Sequence, residues 1–150
     1  SLNYSGFDFA IIHLGINDIG SMEEGASITD VISAFETNIN NIVTKLRDNN
    51  NRIKIFIATI IPSYASNYNA NYKALNEKII EIADASTDIY LLDLNTYSNI
   101  TMHQAYNVWH PTPLGYVKLA EEIKALISYT MSKNLDDFKD IHLIGTDYVL

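Results

Sequence analysis

The sequence predicts an α/β protein with three α/β/α layers, in which helices cover both faces of a doubly wound, mostly parallel sheet. Two observations predict this fold class. Apolar, β-branched segments alternate along the chain with segments whose apolar residues recur at helical spacing. The strand-like segments are apolar toward both faces, which is typical of parallel strands buried between two layers of helices. The chain of 150 residues is 47% hydrophobic, which is enough for one globular core.

Three strands are predicted from runs of apolar and β-branched residues. They cover residues 7–14, 53–61 and 88–94. The second run stops at Pro62, which has no backbone N–H to donate to a sheet. Between the first strand and the first helix, residues 15–26 are predicted to form a polar loop.

Three helices are predicted from apolar residues at helical spacing and from capping residues. The first follows Ser27, a residue type that caps helices, and the third follows Thr112, with Pro113 in the first helical position. The predicted spans are about 28–48, 72–83 and 113–131.

Composition and the lack of certain motifs exclude several classes of function. A net charge of −8 with few, scattered basic residues disfavours nucleic acid or an anionic membrane as a partner. No apolar run approaches the roughly 20 residues that cross a bilayer, so a soluble chain is expected. The absence of cysteine excludes disulfides and thiolate chemistry. No dinucleotide or nucleoside triphosphate loop follows a strand, and the histidines lack metal-ligand spacing, so we predict no cofactor and no metal.

Two short motifs carry the chemistry that the sequence predicts. Gly15-Ile16-Asn17-Asp18 follows the first strand, and His110 lies just before the third helix. In open α/β sheets, ligands bind beyond the carboxyl ends of the strands, so both motifs are expected at one rim. A simpler interpretation stays open, in which Asn17 and Asp18 only cap a turn and His110 only closes the helix start.

These motifs resemble the third and fifth sequence blocks of the SGNH/GDSL hydrolases, a family of serine esterases, lipases and carbohydrate deacetylases with a flavodoxin-like fold. The resemblance extends to Ile60-Ile61-Pro62 and to the segments 72–76 and 91–94. The family's Gly-Asp-Ser nucleophile block and its second block, with an oxyanion-hole glycine, do not occur in this sequence. The resemblance implies that they lie upstream of residue 1, so that the chain is the C-terminal two thirds of the domain.

The resemblance also implies a domain boundary. Residues 1–131 correspond to the partial hydrolase domain. Residues 132–150 have no counterpart in the family blocks and are expected to form a tail or linker with a short strand at 141–145. If the family's first strand is absent, this segment or another copy of the chain would fill the vacant place in the sheet, which favours a homo-oligomer.

By resemblance, three residues are candidates for the catalytic site. Asn17 corresponds to one of three oxyanion donors, and His110 corresponds to the general base that takes the serine proton. Asn107 stands where the family has aspartate. This departure puts the triad in doubt, because a neutral amide neither stabilises an imidazolium by charge nor reliably holds the required tautomer.

Two functional hypotheses follow. In the first, the parent protein hydrolyses short acyl esters through an acyl-serine, with a small acyl ester or an acetylated glycan as substrate, while this chain alone is inactive. In the second, the domain is a catalytically silent binding or structural module, for instance in a cell-surface or phage-tail assembly. The motifs at Asn17 and His110 favour the first hypothesis, and Asn107 favours the second. The cellular compartment stays open.

Overall fold

The structure is a computed structural model that describes residues 5–22, 25–61, 69–98, 110–139 and 141. Within these residues, strands and helices alternate as predicted. The strands are β1 (Phe9–Ile12), β2 (Lys54–Ala58) and β3 (Ile89–Leu92). The helices are α1 (Ile16–Gly20), α2 (Ile28–Asn49), α3 (Asn69–Asp84), α4 (Leu94–Tyr97), α5 (Pro113–Lys133) and α6 (Leu135–Phe138).

The three strands form one parallel sheet in the order β1-β2-β3. Ile12 of β1 is in register with Ile57 of β2, which is in register with Leu91 of β3. The predicted parallel pairing is therefore confirmed. Because the strands are parallel, all three end at the same edge of the sheet.

Two apolar cores separate the sheet from its helices, and they confirm the α/β class. Alternate residues along β2 point to opposite sides: Ile55 and Ile57 to one core, Phe56 and Ala58 to the other. On the first side, α2 and α3 cover the sheet with Phe35, Ile39, Val43, Leu75 and Ile79. On the second side, Leu94, Leu119 and Phe138 bring α4, α5 and α6 against it.

The prediction for the first strand was wrong in two respects. The strand is shorter than residues 7–14, and it is not buried on both faces, since Ile11 is 47% exposed. Among the described residues β1 has a neighbour on one side only, so it forms an edge of the sheet. Phe7 and Leu14 flank it and are also exposed.

The three long helices were predicted and the three short ones were not. The side chains of Ser27 and Thr112 cap α2 and α5 as expected, and α3 begins at Asn69 instead of residue 72. The short α1 lies within the predicted polar loop. The last, α6, places Phe138 in the second core. The domain boundary at residue 131 stays a prediction, and the strand predicted at 141–145 lies outside the described residues apart from Ile141.

Candidate active site

The carboxyl edge of the sheet is held together by polar side chains just beyond the strands. The Thr59 hydroxyl, fully buried after β2, donates to Asp93 Oδ1 at 3.1 Å and accepts from the Asn95 N–H at 2.8 Å. Asp93 in turn caps α4 by accepting from the Thr96 N–H. Asp93 therefore caps α4, and it also ties the end of β3 to the end of β2.

Asn76 is a buried residue of this edge whose role the sequence did not reveal. Its amide accepts from the Ile60 N–H at 2.8 Å and donates to the Ile60 carbonyl at 3.0 Å. The amide thus supplies the two hydrogen bonds that a neighbouring strand would otherwise make. The residue is 6% exposed, so these bonds are made inside the protein. Its place on the apolar stripe of α3, one position after Leu75, is the signal that could have predicted burial.

Gly15 makes the sharp turn from β1 into α1. Its φ is +118°, a conformation that side chains with a Cβ rarely adopt. A Cβ at this position would also lie 2.8 Å from Leu75 Cδ2 and 3.4 Å from Ile60 Cγ2. The sequence therefore needs glycine here both for the backbone conformation and for the close approach of α3.

Asn17 lies in the first turn of α1, with its side chain exposed. The N-cap of this helix is Gly15 and no side chain bonds there, so Asn17 is not its N-terminal capping residue. Its main-chain carbonyl accepts two hydrogen bonds from Ser21, one from the backbone N–H at 2.9 Å and one from the hydroxyl at 2.6 Å. These bonds fix the end of α1 and so the position from which the Asn17 amide projects.

His110 lies two residues before the N-cap of α5 and is exposed. The cap is Thr112, whose hydroxyl accepts from the Gly115 N–H at 3.1 Å, and Pro113 occupies the first helical position. Both features define where α5 begins, and His110 lies in the segment that leads into this helix.

One open cavity brings Asn17 and His110 together. Its volume is about 320 Å³, and Ile16, Asn17, Gly20, Ser21 and His110 line it. This volume is near the lower end of the range for small-molecule sites. The structure thus places two of the three predicted site residues on one cavity, and it adds Ser21, which the sequence did not single out. The third, Asn107, lies outside the described residues.

The described residues around the cavity offer no metal site. No three histidine, aspartate or glutamate side chains of the described residues are grouped so that they could hold a metal ion.

His13, just after β1, is exposed as a whole residue, yet the protein packed around its imidazole desolvates the ring and lowers its pKa. Within the same part of the chain, no helix has the length and apolarity to span a bilayer.

Solved structures of esterases have the same architecture. The chain is similar to a carbohydrate esterase family 3 enzyme from Talaromyces cellulolyticus, with a TM-score of 0.62, 21% identity, and coverage of 84% of this chain and 59% of that one. A GDSL-like lipase from Bacteroides thetaiotaomicron is similar with a TM-score of 0.59 and 18% identity, and the match covers 84% of this chain and 62% of that one. A family two carbohydrate esterase from Clostridium thermocellum, in complex with cellohexaose, is similar with a TM-score of 0.61 and 17% identity. This match covers 87% of this chain and 38% of that one. These similarities define the fold as that of the SGNH hydrolases.

The sequence itself identifies the family. Residues 2–118 match the model of the GDSL-like lipase/acylhydrolase family, a segment that includes both Asn17 and His110. The chain therefore belongs to the GDSL-like lipase/acylhydrolase family, as its motifs predicted. It spans less than two thirds of the length of the structural relatives described above. No protein of curated function matches it in sequence.

Proposed function

We propose that this chain supplies the oxyanion donor and the general base of a serine esterase that hydrolyses short acyl esters. The observation that supports the proposal is that Asn17 and His110 line the same cavity. Membership of the GDSL-like lipase/acylhydrolase family supports the reaction class. Relatives named as carbohydrate esterases favour an O-acylated sugar as the substrate.

Asn17 would act on the oxygen of the ester carbonyl. Among the described residues nothing accepts a hydrogen bond from its side-chain amide, and Asn17 lines the cavity. When the nucleophile adds to the carbonyl carbon, negative charge develops on this oxygen. A donor held in place beforehand lowers the barrier by about 2.7 to 4 kcal/mol.

His110 would move the proton in both halves of the reaction. It takes the proton from the serine hydroxyl as the serine oxygen bonds to the acyl carbon, and it returns the proton to the leaving alcohol oxygen as the ester bond breaks. In the second half, it takes a proton from water as the water oxygen attacks the acyl-serine. The acid is released when the proton goes back to the serine oxygen.

The serine of this proposal belongs to a segment outside the 150 residues, because Gly-Asp-Ser does not occur in them. The outer edge of β1 is a suitable place for the strand that carries it. This edge has no neighbouring strand among the described residues, Ile11 and Leu14 beside it are exposed, and β1 leads directly to Gly15 and α1. A parallel strand added there would end beside the cavity.

Fluorophosphonate labelling, read by intact mass and peptide mapping, tests the proposal on the protein extended upstream of residue 1. We expect one labelled serine upstream, loss of the label in His110→Ala, and labelling slowed by roughly 10²–10³-fold in Asn17→Ala. Asn49→Ala is the matched control, since Asn49 is an exposed amide on α2 that donates to the Lys45 carbonyl of the same helix. A labelled serine inside this chain would overturn the assignment of the nucleophile.

A catalytically silent module is the second candidate, and Asn107 in place of the family's aspartate favours it. The two candidates predict opposite results for Asn107→Asp. In a working but weakened triad, the carboxylate should raise kcat, since the reverse change in the Ser-His-Asp triad of a serine protease costs about 10⁴-fold. No labelling of the extended protein, with or without Asn107→Asp, would establish the silent module.

A further inference from the structure

Ser21 lines the cavity but has no part in the mechanism above. It follows the last residue of α1 and shares the cavity with Asn17 and His110. Its hydroxyl lies 2.6 Å from the main-chain oxygen of Asn17. A carbonyl oxygen can only accept, so the serine hydroxyl donates its single proton in this bond. What the hydroxyl can still offer to the cavity is its capacity to accept a hydrogen bond.

Among the described residues that line the cavity, Ser21 is the one whose side chain can accept a hydrogen bond from the non-reacting part of a substrate. Ile16 is apolar and Gly20 has no side chain. The amide of Asn17 and the imidazole of His110 are engaged by the reacting atoms in the proposed function. Among the described residues, Ser21 is therefore the polar side chain of the cavity that remains for the non-reacting part of a substrate, and it can accept a hydrogen bond there.

We propose that Ser21 is a specificity-determining residue, which accepts a hydrogen bond from a hydroxyl group on the alcohol part of the substrate. The inference rests on the proposed function and assigns the residue that selects for the alcohol part of its substrate. Acyl esters of polyhydroxy compounds are preferred over esters whose alcohol part has no hydroxyl to donate. One neutral hydrogen bond of this kind changes kcat/KM on the order of 3- to 10-fold.

Two esters that differ in this one donor provide the test. In 2-hydroxyethyl acetate the alcohol part carries a free hydroxyl, while in 2-methoxyethyl acetate the same oxygen has no proton. We expect the protein extended upstream of residue 1 to prefer the hydroxy ester. In Ser21→Ala, kcat/KM should fall about 3- to 10-fold for the hydroxy ester and stay within twofold for the methoxy ester.

Ser33→Ala is the matched control for the structural part of the substitution. The Ser33 hydroxyl donates to the Thr29 carbonyl at 2.9 Å, the same bond to the fourth preceding residue, on an exposed part of α2. This variant should leave both esters unaffected. An equal fall for both esters in Ser21→Ala would make Ser21 only a support for α1 and overturn the inference, as would no change for either. Failure of the unaltered protein to cleave either ester would instead overturn the proposed function.

Discussion

At the scale of single residues, Gly15 supports both the fold and the site because it has no Cβ. We expect Gly15→Ala to destabilise the chain by roughly 2 to 5 kcal/mol, because an unfavourable backbone conformation adds to a contact of 2.8 Å with Leu75. Urea unfolding followed by circular dichroism measures this loss. The same substitution should displace α1, which carries Asn17.

Gly25 offers the control that separates the two causes. Its φ is also positive, +85°, but a Cβ there meets nothing within 4 Å. Gly25→Ala should therefore cost only the backbone part, about 1 to 2 kcal/mol. Equal losses in the two variants would mean that the packing of α3 against Gly15 does not contribute.

Some of these residues could be predicted from the sequence and others could not. The positions of Asn17 and His110 on one cavity follow from motifs at the ends of a strand and a helix, because chain order and parallel pairing fix where such ends lie. The burial of Asn76 and the bond from Ser21 to Asn17 were not predicted. Each of these interactions depends on a partner residue that the folded structure brings near, and such a partner leaves no periodic pattern in the sequence.

At the scale of elements, α6 shows how a four-residue helix is held by its contacts. Phe138 is 6% exposed, and its ring centre lies 4.8 Å from that of Tyr90 and 5.9 Å from that of Phe56. The Tyr90 hydroxyl donates to Asp137 at 2.9 Å. Burial raises the pKa of Tyr90, with the bond to Asp137 as the second cause, so the phenol keeps its proton throughout the neutral range.

Removal of this anchor should be costly. We expect Phe138→Ala to lower the free energy of unfolding by about 3 to 5 kcal/mol, through lost burial and the cavity left behind. Leu135→Ala is the control on the same helix, since Leu135 is 55% exposed and should change stability by less than about 0.5 kcal/mol. Thermal unfolding of the two variants decides whether α6 is part of the cooperative domain, and similar stabilities would show that it is not.

The length of a helix decided whether it could be predicted from the sequence. The helices α2, α3 and α5 each span four or more turns, enough for an apolar stripe to repeat. The helices α1, α4 and α6 have four or five residues, too few for any period to appear. Their positions follow from Gly15, from the Asp93 cap and from the burial of Phe138.

At the scale of the whole molecule, the outer edge of β1 is a surface open to pairing. We expect the isolated chain to self-associate as its concentration rises, because an edge strand flanked by exposed apolar side chains offers unpaired backbone groups to another copy. Ile11→Lys should weaken this association by about tenfold or more, since a charge on an edge strand opposes pairing. Sedimentation velocity over a range of concentrations measures it.

The control for this substitution places the same charge elsewhere. Tyr129 on α5 is 62% exposed, so Tyr129→Lys adds an equal charge away from β1. It should leave the association unchanged. A monomer at all concentrations, or an equal effect of the two lysines, would show that the edge of β1 is not the surface of contact.

The cavity is built from two distant parts of the sequence, with Asn17 just after β1 and His110 just before α5. A ribosome adds about 5–20 residues per second, so α1 is made several seconds before His110 emerges. During that interval the growing chain has no base beside its oxyanion donor. Esterase activity, on the proposed function, therefore begins only when α5 has docked, and its onset during translation would mark completion of the fold.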